Sequence, residues 1–302
     1  MKKAFIFPGQ GSQFVGMAKD LYDSHESARK MFTRANEIME LDLADICFNG
    51  PDALLKQTKI TQPAIFVHSM IVFDLLKQKG IEAEASAGHS LGEYCALAAS
   101  GALTYEDGLN LVKIRGSAMQ RCGEKNKGTM AAVIGMSMEE IESVCKETGG
   151  IVQPANFNSP GQIVISGEVS AVQDAMALAV KKGARKTIEL VVSGAFHSPL
   201  MEEAREELAG ALSKVTLAEA SLPVYTNVTA QPETDPLKIR QLLLEQVIQP
   251  VRWQETIENM AQAGYTSLYE LGPGKVLQGL VKRINRDMDC VAIGDQTSVN
   301  SI

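Results

Sequence analysis

The sequence has little of what would assign it to a specialised class of protein. Its 302 residues include 5 cysteines and 1 tryptophan, and aromatic residues make up 5%. No two cysteines are spaced C-x-x-C, so we expect neither a disulfide framework nor a structural zinc site. There is no long block of like charge, and 36 acidic against 29 basic residues give a net charge of −7. This balance does not favour nucleic acid as a partner.

Long apolar runs are also missing. After Lys2 and Lys3, the run Ala4–Phe7 ends at Pro8, which is too short for the apolar region of a signal peptide. We find no stretch long enough to span a bilayer and expect no membrane association. Together with the unpaired cysteines, this predicts a cytoplasmic protein.

Strand and helix patterns alternate along most of the chain. Ala4–Phe7 and Ala83–Gly88 are short apolar runs typical of buried strands, and Thr61–Lys79 has the periodicity of a helix, with Thr61 as its cap. The alternation returns after residue 199 and continues to a last strand at Asp289–Ile293. It predicts an α/β fold with a mostly parallel sheet covered on both faces.

The middle of the chain follows a different order. Between residues 128 and 193 the pattern is strand, helix, strand, strand, helix, strand, which is that of a ferredoxin-like (βαββαβ) unit. We therefore predict that residues 128–193 form a small inserted domain, and that residues 1–127 and 194–302 form one larger domain.

A candidate nucleophile lies between the second predicted strand and the following helix. Gly88-His89-Ser90-Leu91-Gly92 matches G-x-S-x-G in the context that this motif requires. The turn holds the serine hydroxyl above the sheet at a helix N-terminus, where the helix dipole favours developing negative charge. We predict that Ser90 is the nucleophile rather than a structural helix cap.

A nucleophilic serine needs a base, and the chain has four histidines, His25, His68, His89 and His197. The first three are explained as an exposed residue, a mid-helix residue and a loop-bracing neighbour of the serine. His197 lies at a strand-to-helix junction before Pro199, a common position for catalytic groups. Elimination thus favours His197. No third member of a triad is evident, and a backbone carbonyl can also orient an imidazole.

Several further motifs occur in a characteristic order. They are Phe7-Pro8-Gly9-Gln10-Gly11-Ser12-Gln13, Thr61-Gln62-Pro63-Ala64, Gly88-His89-Ser90-Leu91-Gly92-Glu93, Arg115-Gly116, Phe196-His197-Ser198, Pro250-Val251-Arg252-Trp253 and Leu271-Gly272-Pro273-Gly274. With these motifs the chain resembles, over its whole length, the malonyl-CoA:acyl-carrier-protein transacylases and the acyltransferase domains of polyketide synthases. The resemblance implies an α/β-hydrolase-like domain with a ferredoxin-like insert.

The resemblance also implies how an acyl group would be held. The backbone N–H groups of Gln10 and Leu91 would form the oxyanion hole. Arg115 would pair with the malonyl carboxylate through two parallel hydrogen bonds, which discriminate against acetyl by about 1.5–3 kcal/mol. Taken alone, Gly9-Gln10-Gly11 could be a phosphate loop, but no Gly-Lys-Ser/Thr follows it.

The remaining implied roles concern the base and the pocket. His197 would act in a Ser–His dyad, with its Nδ1–H donating to the backbone carbonyl of Gln249, the residue before Pro250. Gln62, Met119 and Phe196 would line the substrate pocket, although core packing explains Met119 and Phe196 almost as well.

The resemblance implies a ping-pong transfer of malonyl from malonyl-CoA to the phosphopantetheine thiol of an acyl carrier protein, in fatty-acid or polyketide synthesis. No metal or resident cofactor is implied, and we expect a monomer. A serine thioesterase of the same fold is the alternative enzyme, and a non-catalytic subunit that binds the carrier is the alternative from another class. An acidic carrier would dock on one of two basic clusters, Lys181–Lys186 or Lys275–Arg286.

Overall fold

The computed structural model describes residues 2–302 and contains two separate sheets. The strands are, in chain order, Lys2–Phe7 (β1), Ala85–Gly88 (β2), Gly128–Ile134 (β3), Val152–Ser159 (β4), Gln162–Glu168 (β5), Lys186–Glu189 (β6), Val224–Tyr225 (β7), Pro232–Glu233 (β8), Tyr265–Leu271 (β9) and Asp289–Ile293 (β10). The larger sheet has the order β10-β9-β1-β2-β7-β8, and the smaller one has the order β4-β5-β3-β6.

Helices cover both faces of the larger sheet and one face of the smaller one. They are Lys19–Ser24 (α1), Glu26–Met39 (α2), Leu43–Asn49 (α3), Asp52–Leu55 (α4), Thr58–Gln78 (α5), Gly92–Ala99 (α6), Tyr105–Lys125 (α7), Met138–Glu147 (α8), Val169–Lys181 (α9), Glu202–Leu212 (α10), Pro236–Gln246 (α11), Trp253–Gln262 (α12), Val276–Ile284 (α13) and Gln296–Asn300 (α14). A single 3₁₀ turn, Pro199–Met201, precedes α10.

The larger sheet is parallel except at its edge, where β8 runs antiparallel to β7. Strands β1 and β2 are adjacent and in register, with Phe7 opposite Gly88. Their carboxyl ends therefore lie side by side, and the loops that follow them, one carrying Gln10 and the other Ser90, meet above the same edge of the sheet. The prediction of a mostly parallel sheet in a mixed α/β protein is confirmed.

The smaller sheet is antiparallel throughout, with β3 paired to both β5 and β6 and β5 paired to β4. One of its faces packs against α8 and α9, where the apolar side chains form a cluster of their own, and apolar side chains of the opposite face join the main core. A parallel bridge between Asn156 on β4 and Val251, after α11, joins this sheet to the rest of the protein.

Helix α5 differs from its predicted form in two ways. It begins at Thr58 rather than at Thr61, whose hydroxyl lies inside the helix and donates to the Leu55 carbonyl at 2.6 Å. Contrary to the sequence expectation, α5 is long and apolar enough to cross a membrane, but 83% of its apolar window is buried inside the protein. Its apolar character is therefore explained by its position in the core.

Candidate active site

The turn between β2 and α6 presents Ser90 as predicted for a nucleophile. Ser90 has a φ of 51°, in the left-handed region that is strained for a residue with a side chain. Gly92 is required here because a Cβ at that position would lie 2.1 Å from the Phe7 carbonyl oxygen. The start of α6 can thus pack directly on the end of β1, which holds the serine at the edge of the sheet.

Asn227, in the segment after β7, secures this strained turn from the side. Its Oδ1 accepts a 2.7 Å hydrogen bond from the Ser90 backbone N–H, and its Nδ2 donates to the Gly88 carbonyl at 2.6 Å. Asn227 is fully buried. The side chain replaces backbone partners that the sharp turn cannot provide.

His197 is placed to take the serine proton. Its Nε2 lies 2.8 Å from Ser90 Oγ, and its Nδ1 lies 2.7 Å from the carbonyl oxygen of Gln246. A carbonyl only accepts, so Nδ1 carries the proton and the Nε2 lone pair faces the hydroxyl. Like Ser90, His197 has a positive φ, of 57°.

The residue that orients His197 differs from the prediction. The sequence analysis expects the Gln249 carbonyl, but His197 Nδ1–H donates to the carbonyl of Gln246, the last residue of α11. The reason is that Pro250, four residues later, has no N–H with which to occupy the Gln246 carbonyl. The carbonyl of Gln249 affects the pKa of His197 in the same direction as that of Gln246, but more weakly.

The protonation state of His197 suits a general base. Burial, and then the charge of Arg115, lower its pKa to about 3, while the Gln246 carbonyl acts in the opposite direction. The imidazole is therefore neutral at neutral pH and free to accept a proton.

Arg115 lies beside the two catalytic candidates although it is almost completely buried in α7. Its Nη2 donates to Ser90 Oγ at 3.0 Å and to Gln246 Oε1 at 2.9 Å, and its Nη1 donates to Gln62 Oε1 at 2.8 Å. These acceptors are all neutral, and no carboxylate among residues 2–302 hydrogen-bonds to the guanidinium. A buried cation of this kind favours an anionic partner in the adjoining space.

Helices α5 and α7 approach closely at this point. A Cβ on Gly116 would lie 2.9 Å from the Thr58 carbonyl oxygen, so glycine permits the contact. Met119 lies one turn after Arg115, on the same face of α7, and its sulfur is 3.6 Å from Gln62 Nε2. The structure therefore brings Gln62, Arg115 and Met119 together.

The loop after β1 brings Gln10 to the same place. Its side chain donates to Thr58 Oγ1 at 3.3 Å, and Gln10 lines the same cavity as Ser90. Among residues 2–302, neither the N–H of Gln10 nor that of Leu91 has a hydrogen-bond acceptor. Two unused N–H groups beside a serine hydroxyl are the arrangement that an oxyanion requires.

These groups surround a cavity of about 130 Å³. Its lining combines the polar groups described above with apolar walls from both parts of the protein: Gln10, Gln62, His89, Ser90, Leu91, Arg115, Met119, Met130, Asn156, Leu190, Val192, Phe196 and His197. Every residue that the sequence analysis assigned to the site lines this cavity except Gln249. Met130, Leu190 and Val192, from the part of the chain with the smaller sheet, had not been anticipated.

The other histidines have structural contacts. His89 Nε2 lies 2.8 Å from Asn158 Oδ1, and its ring packs on Trp253. His68 is buried in α5 and contacts the Gly294 carbonyl. His25 lies 2.5 Å from the side-chain oxygen of Gln296. Only His197 among the four lies within hydrogen-bonding distance of Ser90.

Three buried polar residues behind the cavity were not assigned to the site from the sequence: Glu93, Asn227 and Gln246. Gln246 Nε2 donates to the Ser90 carbonyl at 3.0 Å and to Glu93 Oε2 at 2.7 Å, and Glu93 Oε2 also accepts the Asn227 N–H at 3.0 Å. One sequence signal could have indicated Gln246, namely its position four residues before Pro250. Neither spacing nor periodicity indicates Asn227.

Comparison with known proteins shows to which family the chain belongs. The family described as acyl transferase domain matches residues 4–297. A malonyl CoA-acyl carrier protein transacylase of Bacillus subtilis is 43% identical over 301 residues, covering 99% of this chain and 95% of that protein. The protein of the same name in Haemophilus influenzae is 42% identical, with coverage of 100% and 98%.

Solved structures give the same result. The acyl-carrier-protein-S-malonyltransferase of Bartonella henselae is 42% identical, with a TM-score of 0.96 and coverage of 100% and 98%. A malonyl-transacylase solved with its type II polyketide-synthase acyl-carrier protein is 38% identical, with a TM-score of 0.96 and the same coverage. The chain therefore belongs to the acyl transferase family. Within that family it belongs with the malonyl CoA-acyl carrier protein transacylases.

Proposed function

We propose that this enzyme transfers a malonyl group from malonyl-CoA to the phosphopantetheine thiol of an acyl carrier protein through an ester on Ser90. His197 Nε2 takes the proton of the Ser90 hydroxyl as the oxygen attacks the thioester carbon. The N–H groups of Gln10 and Leu91 hold the oxyanion. When the tetrahedral intermediate collapses, the C–S bond breaks and His197 returns its proton to the departing CoA thiolate.

The second half of the reaction uses the same groups in reverse. His197 takes the proton of the carrier's thiol, the sulfur attacks the ester carbon, and the Ser90 oxygen leaves with the proton. A Ser–His pair oriented by a backbone carbonyl is sufficient for both halves, with no resident metal or cofactor. The enzyme thereby supplies extender units for fatty-acid or polyketide synthesis.

The position of Arg115 is the main reason for proposing malonyl as the acyl group. Its guanidinium is buried, donates only to neutral groups and lies 3.0 Å from the nucleophilic oxygen. The malonyl carboxylate, two carbons from the reacting carbonyl, would supply the missing anion. The carboxylate would also offset the charge that lowers the pKa of His197, so its binding would strengthen the base. Gln62, Met119 and Phe196 would form part of the walls around the malonyl group.

Intact-mass measurement tests this function directly. The purified protein is mixed with malonyl-CoA, the reaction is stopped within seconds, and the mass is compared with that of protein mixed with acetyl-CoA. We expect one malonyl adduct and a much weaker acetyl adduct, because only malonyl satisfies Arg115. Release of free CoA without any adduct would instead identify water as the acceptor and the protein as a thioesterase.

We also propose the finer architecture that the sequence suggested. The order β4-β5-β3-β6 supports a ferredoxin-like arrangement for the insert, residues 128–193, within an α/β-hydrolase-like domain formed by residues 1–127 and 194–302. The five free cysteines, four of them buried, support a cytoplasmic location. The enzyme would act as a monomer, since one chain contains every catalytic group.

The two basic clusters, Lys181–Lys186 and Lys275–Arg286, are the candidate docking sites for the carrier protein. Arg283, on α13, hydrogen-bonds to Gln162 at the start of β5. A surface groove beside this contact is lined by Ser159, Arg185, Lys186 and Arg283 among others. Strand β4 runs from the cavity at Asn156 to the groove at Ser159, a distance of about 10 Å. We therefore assign carrier docking to this groove, which combines residues of both clusters.

Reversal of charge in the groove should separate the two halves of the reaction. In a Lys186→Glu/Arg283→Glu variant we expect transfer to the carrier to slow by about tenfold or more, because surface charges mainly control the rate of association. Acylation of Ser90 by malonyl-CoA should be unchanged. Lys214→Glu, on an exposed turn after α10, is the matched control. Equal transfer rates in all three proteins would exclude the groove as the docking site.

A further inference from the structure

Glu93 is a buried carboxyl group that lies next to the active site without reaching the cavity. It belongs to the first turn of α6, one turn after Ser90, and only 1% of it is exposed. Burial raises its pKa to about 7, although hydrogen bonds from Asn227 and Gln246 act in the opposite direction. Placing a carboxyl group in such a position is costly, so its contacts need a reason beyond packing.

Both side-chain hydrogen bonds of Glu93 go to residues that hold the catalytic groups. Its Oε2 accepts from the Asn227 N–H at 3.0 Å and from Gln246 Nε2 at 2.7 Å. Asn227 in turn holds the turn of Ser90, and Gln246 contacts Ser90, Arg115 and His197. Through Asn227 and Gln246, Glu93 Oε2 is therefore connected to Ser90, Arg115 and His197.

The side-chain amide of Gln246 has two ends that differ in function. Its Nε2 faces three acceptors: Glu93 Oε2, the Ser90 carbonyl at 3.0 Å and Asn227 Oδ1 at 3.3 Å. Its Oε1 is thereby turned to Arg115 Nη2, at 2.9 Å. If the amide were reversed, its NH₂ group would oppose the guanidinium, donor against donor. Three hydrogen bonds of Nε2 prevent this reversal, and the shortest of them, at 2.7 Å, is the one that Glu93 Oε2 accepts.

We propose that Glu93 is a positioning residue for malonyl selectivity: the oxygen that it presents to Gln246 fixes the amide so that its carbonyl holds Arg115 towards Ser90. The inference rests on the proposed function of the site. Glu93 acts through Gln246 and does not touch the substrate. It requires an acceptor oxygen at position 93 rather than a charge, so glutamine, which resembles the protonated carboxyl group, should serve in its place.

The test compares Glu93→Met, which removes the acceptor, with Glu93→Gln, which retains one. The measured quantity is the ratio of kcat/KM for malonyl-CoA to that for acetyl-CoA, because acetyl does not need Arg115. We expect the ratio to fall about tenfold in Glu93→Met and to stay within about threefold of the wild type in Glu93→Gln. Glu270→Met is the matched control, since Glu270 is a buried carboxyl that accepts the N–H groups of Leu277 and Gln278 away from the site. It should lower stability and leave the ratio unchanged.

A second variant shows whether Glu93 acts through Gln246. Gln246→Met keeps the backbone carbonyl that orients His197 and removes the amide, so its ratio should fall as in Glu93→Met. The double variant should show no further loss, because the two changes break one chain of contacts. Additive losses, an unchanged ratio in Glu93→Met, or equal losses with both acyl-CoAs would overturn the proposal. If Glu93→Met does not fold, an unchanged selectivity ratio in Gln246→Met would by itself overturn the proposal.

These outcomes differ from a failure of the proposed function itself. A wild-type protein that forms no malonyl ester would contradict the proposed function. A wild-type ester together with unaltered selectivity in the variants would contradict only the role of Glu93.

Discussion

In a Ser90→Ala variant, we expect no malonyl adduct at all, and the rate of malonyl transfer should fall by on the order of 10⁴-fold or more. In the proposed mechanism the hydroxyl oxygen forms the ester, and alanine leaves no nucleophile at the position 2.8 Å from His197 Nε2. Intact mass after mixing with malonyl-CoA measures the adduct, and release of CoA in the presence of the carrier measures the rate.

Ser86→Ala is a suitable control for this change. Ser86 lies in β2, the strand that precedes the turn of Ser90, is fully buried, and donates to the Ala96 carbonyl at 3.2 Å. Its loss should cost about 1 kcal/mol of stability and leave the adduct intact. An adduct that persists in Ser90→Ala would show that another side chain carries the acyl group.

Replacement of Arg115 should change which acyl group is accepted. In Arg115→Lys we expect kcat/KM for malonyl-CoA to fall about ten- to a hundredfold while that for acetyl-CoA changes little, because an ammonium group cannot make two parallel hydrogen bonds to a carboxylate. Kinetics with both acyl-CoAs give the two values. The ratio matters more than either rate, since general damage to the site would lower both.

Arg121→Ala provides the comparison on the same helix. Arg121 is exposed and pairs with Glu207, so its removal should leave the preference for malonyl unaltered. Selectivity that survives in Arg115→Lys would mean that the carboxylate is recognised elsewhere, and the proposed substrate would lose its main support.

The sequence predicts which serine and which histidine the fold brings together, because local rules indicate both. G-x-S-x-G between a strand and a helix places Ser90, and the small number of histidines leaves His197. The strands predicted at Ala4–Phe7, Ala83–Gly88 and Asp289–Ile293 correspond to β1, β2 and β10, since short apolar runs are a local property. Helix α5 begins earlier than predicted because Thr61 and Pro63 can both lie inside a helix that burial stabilises.

The groups that support the catalytic pair could not be predicted in this way. Asn227 and Gln246 reach Ser90 from 137 and 156 residues away, and such contacts depend on how the strands are ordered in the sheet. The sequence analysis assigns the acceptor for His197 to Gln249 because this residue directly precedes Pro250, where the motif Pro250-Val251-Arg252-Trp253 begins. The missing N–H of that proline acts one helical turn earlier, on Gln246, and only the end of α11 in the folded chain makes this visible.

The distance in sequence between Ser90 and its supports has a consequence for protein synthesis. As the chain leaves the ribosome, the nucleophile turn emerges long before Asn227 and Gln246, and His197 comes between them. A nascent chain that ends before residue 246 contains the serine and the base but lacks the groups that hold the turn, the imidazole and the arginine. We therefore expect acylating activity only after the segment that carries Asn227 and Gln246 has folded onto the sheet, so that an unfinished polypeptide would not be charged with an acyl group.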